Sequence, residues 1–247
     1  MTPLVLALGL AAALGDLLGG AIVAIPRSIG DRTLKLLMAL GAGNLLGVAL
    51  IELIPESIAL IGDAAPIAIL GGYLLIHFFE HVFAPHLHFG EETHGVTVID
   101  AHVSSTAILG LTLHAFMDGV AISSAFLASP GLGVIVFAAI MLHKLPEGFT
   151  VASVMKASGS GRRGTMGAAG ILAVATFAGV VATGLVGDSL AGYSLAVATG
   201  SVLYVGATDL MSEANKEFNI LNPVMVLVGI AMFFALLGVA RLAGVEV

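Results

Sequence analysis

The sequence predicts an all-α integral membrane protein with eight transmembrane helices in a single domain, residues 1–247. Three observations predict it. The chain is 58% hydrophobic and 10% charged, against about 25% charged for a typical soluble domain, so there is too little polar surface to coat a water-soluble globule. Mean hydropathy is +1.09. The apolar residues fall into runs of about 20, the length of a helix that crosses a bilayer, separated by proline- and glycine-rich breaks.

The runs lie at 4–25, 33–54, 66–84, 104–128, 132–156, 166–187, 191–213 and 223–243. The first is apolar without a basic leading region or a clear cleavage site, and reads as a span and not as a removable signal. The breaks are Pro26, Pro55, Pro66, Pro85, Ser129-Pro130-Gly131, the run Ser158–Gly161, Gly187-Asp188 and Asn222-Pro223. Gly15/Gly19 and Gly43/Gly47 form GxxxG pairs, which read as packing positions where helices approach closely.

Lys and Arg set the expected orientation. Arg27, Arg32 and Lys35 lie between spans 1 and 2, Lys156, Arg162 and Arg163 between spans 5 and 6, and Lys216 between spans 7 and 8. The loops 56–65, 129–131 and 188–191 contain neither residue; only Arg241 runs against the trend. Eight spans put all three basic loops on one side, leave both termini outside, and place the loop at about 85–103 in the cytoplasm. The expected setting is a bacterial inner membrane.

The absence of cysteine removes disulfides and thiolate metal sites. A net charge of −7 with no basic block argues against a nucleic-acid partner. Methionines such as Met117, Met141 and Met155 fit apolar packing and form no thioether cluster of the kind copper(I) favours.

Ionisable residues inside membrane helices cost about 2.5–3.5 kcal/mol each on insertion scales and call for an explanation. Span 4 reads Leu113-His114-Ala115-Phe116-Met117-Asp118-Gly119, and span 5 reads Leu142-His143-Lys144-Leu145-Pro146-Glu147-Gly148. Both follow the pattern Leu-His-x-apolar-x-acid-Gly, and a serine, Ser124 or Ser153, stands ten residues after each histidine. Consecutive spans run in opposite directions, so this is a local inverted repeat, the arrangement that places substrate sites at the bilayer midplane. His and acid at i, i+4 share a helix face. If the hairpin turns near Pro130, His114 lies level with Glu147 and Asp118 with His143. Four groups then converge as an N₂O₂ set suited to a divalent ion. Pro146 deprives the Leu142 carbonyl of its usual donor, making it a cavity-lining oxygen, a hinge or an ordinary kink.

These motifs resemble those of the ZIP (Zrt-, Irt-like protein) family of divalent metal transporters. The resemblance extends over Glu52-Leu53-Ile54-Pro55-Glu56, Glu80-His81, the histidine-bearing loop, and Gly200-Ser201-Val202-Leu203-Tyr204-Val205 with Asp209 and Glu213. It implies eight helices in an inverted-repeat 3+2+3 architecture and metal movement toward the cytoplasm. It also implies a core site of His114, Asp118, His143 and Glu147. The expected cargo is zinc, with iron(II), manganese and cadmium open because N/O ligands accept several ions. The partners are then the ion and the bilayer, with a homodimer as an open assembly.

Two departures stand out. Many members carry Glu where this chain has Asp118. Some hold a second ion with polar residues directly after each histidine, where this chain has Ala115 and Lys144. A fixed ammonium beside the site predicts one metal, with Lys144 as a modulating charge paired to Asp118 or Glu147.

Asn44 is a further candidate oxygen donor to the core site. Asp16, Glu52, His77, Glu80, His81, His86, His88, Asp209 and Glu213 are candidates for a path or exit relay, with Glu56 beside Glu52 at an acidic mouth. Two other functions compete: an intramembrane zinc hydrolase, which needs a general base that does not appear, and a metal sensor reading through the His loop.

Overall fold

A chain this apolar must satisfy its backbone polar groups within each segment, and the described residues form helices joined by short turns, with no strand among them. The computed structural model describes residues 2–24, 31–83, 101–186, 190–215 and 219–242. Helix α1 spans Pro3–Ala24 and α2 spans Asp31–Val48. A π-helical segment, Ala49–Leu53, leads into α3, Ile54–Ile61, and a 3₁₀ turn at Gly62–Ala64 leads into α4, Ala65–Phe78. A second π-helical segment, Phe79–Phe83, extends α4. Then come α5 (Ala101–Ala128), α6 (Pro130–Ala157), α7 (Arg162–Val186) and α8 (Ala191–Tyr204). A third π-helical segment, Val205–Leu210, joins α8 to α9 (Met211–Asn215), and α10 is Leu221–Leu242.

Among the described residues, six helical stretches are long and apolar enough to cross a membrane: Pro3–Ala24, Arg32–Val82, Ile108–Ala128, Pro130–Lys156, Arg162–Val186 and Leu221–Leu242. Eight were expected. The second and third expected spans share the 51-residue run Arg32–Val82. The seventh corresponds to α8, its π-helical extension and α9, whose Gly, Ser, Thr and Asp residues dilute its apolarity.

Pro55 does not end a helix as the sequence suggested. It enters the first turn of α3 immediately after the π-helical segment, where the hydrogen-bond pattern is already shifted and its missing N–H is tolerated. The break comes at Gly62, with φ of 57°, a conformation that only glycine adopts without cost. Neighbours show that the chain reverses there. Along α8 and α9, Gly192 lies against Leu60 and Ile61, Gly206 against Leu45, and Ala214 beside Ala39, so the numbering runs in opposite senses. Against α4 it runs in the same sense, with Val197 at Gly72 and Tyr204 bonded to Glu80. The α2–α3 arm is therefore antiparallel to α4.

The helices associate in two groups. Helices α1, α5, α6 and α7 pack on one another, whereas α2 packs on α10 and α4 on α8. Contacts of α5 with α8 and of α2 with α6 join the groups, and the largest apolar core runs through that junction. Outward faces carry large apolar residues, among them Ile67, Leu70, Val174, Leu185, Leu227 and Val239, as lipid contact requires. Both GxxxG pairs serve packing. Gly15 and Gly19 face α6, Gly43 faces the Val226 backbone, and Gly47 faces Phe233.

Candidate metal centre

Helices α5 and α6 form the hairpin that the repeat predicts. Ser129 caps α6, its Oγ accepting from the Leu132 N–H at 3.1 Å, and Pro130 occupies the first turn, so the reversal falls between Ala128 and Pro130. Helix α6 continues without interruption through Pro146.

This register sets the histidines and acids level. His143 Nε2 lies 3.1 Å from Asp118 Oδ2, and His114 Nε2 lies 3.8 Å from Glu147 Oε2. Within α5, His114 Nε2 is 3.3 Å from Asp118 Oδ2. One ligand atom from each of the four residues lies within 4.8 Å of all the others, and all four residues are buried. His143 Nδ1 is 3.4 Å from the Ala139 carbonyl, the outer contact that orients a ring whose Nε2 faces a metal. His114 Nδ1 and Glu147 Oε1 are buried without a hydrogen-bond partner among the described residues. Two imidazoles and two carboxylates, all buried, make a donor set suited to a tetrahedral divalent site.

Lys144 is wholly buried and its ammonium lies against both acids, 2.8 Å from Asp118 Oδ2 and 2.7 Å from Glu147 Oε2. Helix α1 completes the cluster. Asp16 Oδ2 stands 3.5 Å from Lys144 Nζ and accepts from Thr176 Oγ1 of α7 at 3.2 Å. Close helix approach makes this contact: a side chain at Gly148 would fall on the Asp16 carbonyl, and one at Gly15 on Lys144 Cβ. Gly41 of α2 packs against His143 Cβ, closing the site from the other helix group.

The remaining predicted residues lie elsewhere. Asn44 donates from Nδ2 to the Gly229 carbonyl at 3.4 Å, facing α10. Glu52 pairs loosely with Arg241, 3.9 Å away. His77, Glu80 and His81 gather at the end of α4: the two imidazole rings lie 4.1 Å apart, and His81 Nδ1 is 2.8 Å from the His77 carbonyl. Glu80 accepts from the Tyr204 hydroxyl at 2.9 Å and shares a side-chain hydrogen bond with Asp209, so two π-helical segments face each other across this cluster. His86 and His88 lie outside the described residues, as does the side chain of Glu213. Thr176 escaped the sequence reading, because a threonine in an apolar run carries no signal until the helix behind it is known. Ser124 and Ser153 share a place in the repeat but not an environment. Ser124 Oγ is buried without a partner among the described residues, and Ser153 donates to the Phe149 carbonyl at 2.8 Å.

Fold and cluster together define a multi-pass membrane protein with a buried His₂-carboxylate₂ centre between two of its helices. The ZIP zinc transporter family profile matches residues 90–237. The chain belongs to that family, and so to a class of transporters and not of enzymes. Among its relatives is the zinc transporter ZIP9 of Micropogonias undulatus, 27% identical over an alignment 238 residues long that covers 74% of this chain and 76% of the relative. Zinc transporter ZIP9-B of Xenopus laevis is 24% identical over an alignment 255 residues long that covers 83% of each chain. Zinc transporter SLC39A7 of Homo sapiens is 27% identical over 143 residues, 53% of this chain but 30% of that protein.

Proposed function

We propose that this protein carries zinc across the membrane toward the cytoplasm and that His114, Asp118, His143 and Glu147 bind the ion in transit. The observation that carries the reading is the convergence of four buried donors, from two antiparallel helices, to within 4.8 Å. Zinc is the cargo named for the relatives, and the N₂O₂ set suits it. The same donors accept iron(II), manganese and cadmium, so selectivity among these is part of what the flux assay measures. Asn44, whose amide is turned to the Gly229 carbonyl of α10, is not counted among the proposed donors. Glu52 belongs to the outer mouth, and the cluster of His77, Glu80, His81 and Asp209 to the inner route, with Glu213, His86 and His88 beyond it.

The proposed topology has eight crossings in a 3+2+3 arrangement. The reversal at Gly62 supports two crossings within Arg32–Val82, and the antiparallel course of α8–α9 beside α2–α3 supports another. Both termini then lie outside and the basic loops inside.

Zinc flux into proteoliposomes holding a fluorescent zinc indicator tests the function. Wild type should transport, and the His143→Ala, Glu147→Ala double variant should not, while eluting as a folded protein. Equal flux in the two would remove the site assignment; no flux with zinc but flux with iron(II) or manganese would reassign the cargo.

A further inference from the structure

We infer that Lys144 is a tethered competitor for the metal and that Asp16 is the seat that receives its ammonium when the ion binds, which makes Asp16 a positioning residue. The inference rests on the metal-site reading above. Lys144 Nζ occupies the two oxygens that a metal needs, Asp118 Oδ2 and Glu147 Oε2, at 2.8 and 2.7 Å. A divalent ion on the same oxygens would sit against the ammonium, and in a buried site that repulsion is weakly screened. The ammonium must therefore move, and it must move to another anion, because Lys144 is 0% exposed and water is out of reach.

Asp16 meets each requirement. It is 0% exposed, its Oδ2 already lies 3.5 Å from Lys144 Nζ, and its Oδ1 is buried without a partner among the described residues. A shift of about 0.5 Å brings the pair into ordinary hydrogen-bond range, within the freedom of a four-carbon stem and with no helix movement. Thr176 Oγ1 fixes the receiving carboxylate from behind at 3.2 Å. Formal charges agree with the exchange. Asp16, Asp118 and Glu147 with Lys144 carry two negative charges in excess, which one divalent ion neutralises and a second would overshoot. A resident competitor also keeps binding weak enough for release, as transport demands.

The test is a double-mutant cycle in zinc affinity, measured by calorimetry on the purified full chain in detergent, with Asp16→Asn, Lys144→Gln and the two combined. Lys144→Gln should bind zinc about tenfold more tightly, and Asp16→Asn about tenfold more weakly, but Asp16→Asn should have no effect once residue 144 is Gln. Cobalt(II) absorption should be the same in Asp16→Asn and wild type, because Asp16 is not a ligand. Equal weakening by Asp16→Asn in both backgrounds, or an altered cobalt spectrum, would overturn the inference and leave the metal site standing. So would unchanged or weaker binding in Lys144→Gln. Wild-type-like binding by His143→Ala would instead remove the metal site, and this inference with it. Lys144→Met and Asp16→Ser give the same cycle if the amide variants do not fold.

Discussion

Asp118 Oδ2 is shared three ways: Lys144 Nζ approaches it at 2.8 Å, His143 Nε2 at 3.1 Å and His114 Nε2 at 3.3 Å. One carboxylate oxygen thus links both helices of the hairpin. Asp118→Ala should lower zinc affinity by about 100-fold, read by calorimetry, since it removes a proposed ligand and leaves Lys144 with Glu147 at 2.7 Å and Asp16 at 3.5 Å. Asp118→Glu, with one methylene more in a site 1% exposed, should transport more slowly while still binding.

Zinc itself should stabilise the protein. A ligand at 100 times its dissociation constant adds about 2.7 kcal/mol to the folded state. The thermal midpoint in detergent should therefore rise with zinc and fall back with chelator in wild type, and should not respond in His143→Ala.

Close helix approach should matter where a glycine meets the backbone of a neighbouring helix and not where it meets open space. At Gly148 a methyl group would meet the Asp16 carbonyl, which is backbone and cannot rotate away. Gly148→Ala should cost about 1–3 kcal/mol and separate α1 from α6, reducing flux. Gly167 is exposed in α7 and has open space around it. Gly167→Ala should leave flux unchanged and hold or slightly raise the thermal midpoint, because alanine is the better helix former.

The Tyr204 hydroxyl donates to Glu80 Oε2 at 2.9 Å. Tyr204→Phe should lower stability by about 1 kcal/mol, a few degrees in the thermal midpoint. If this cluster lies on the inner route, it should also slow zinc flux without changing zinc affinity at the core site.

The absence of cysteine makes topology directly testable. A cysteine at Gly161, in the basic loop after α6, and one at Asp63, in the turn after α3, should react with an impermeant maleimide from opposite sides of sealed vesicles. Labelling from the same side would remove the eight-crossing topology.

The convergence of His114, Asp118, His143 and Glu147 was legible in the sequence because helix geometry is periodic. His and acid four apart share a face, the Pro130 reversal fixes the register, and Asp118–His143 and His114–Glu147 follow from counting. Membrane character was legible from composition, because lipid selects apolar outward faces. Helix limits were less so: Pro55 is a helix breaker by rule, and the π-helical segment before it removed the need for a break, which fell at Gly62. What only the tertiary structure decided is which helix lies behind the hairpin. Nothing local marks Asp16 and Thr176 as neighbours of Lys144. That proximity comes from the contact of α1 with α6 at Gly148 and from α7 packing beside them, 160 residues along the chain from Asp16 to Thr176. Periodicity records which face a residue presents, and packing alone decides what that face meets.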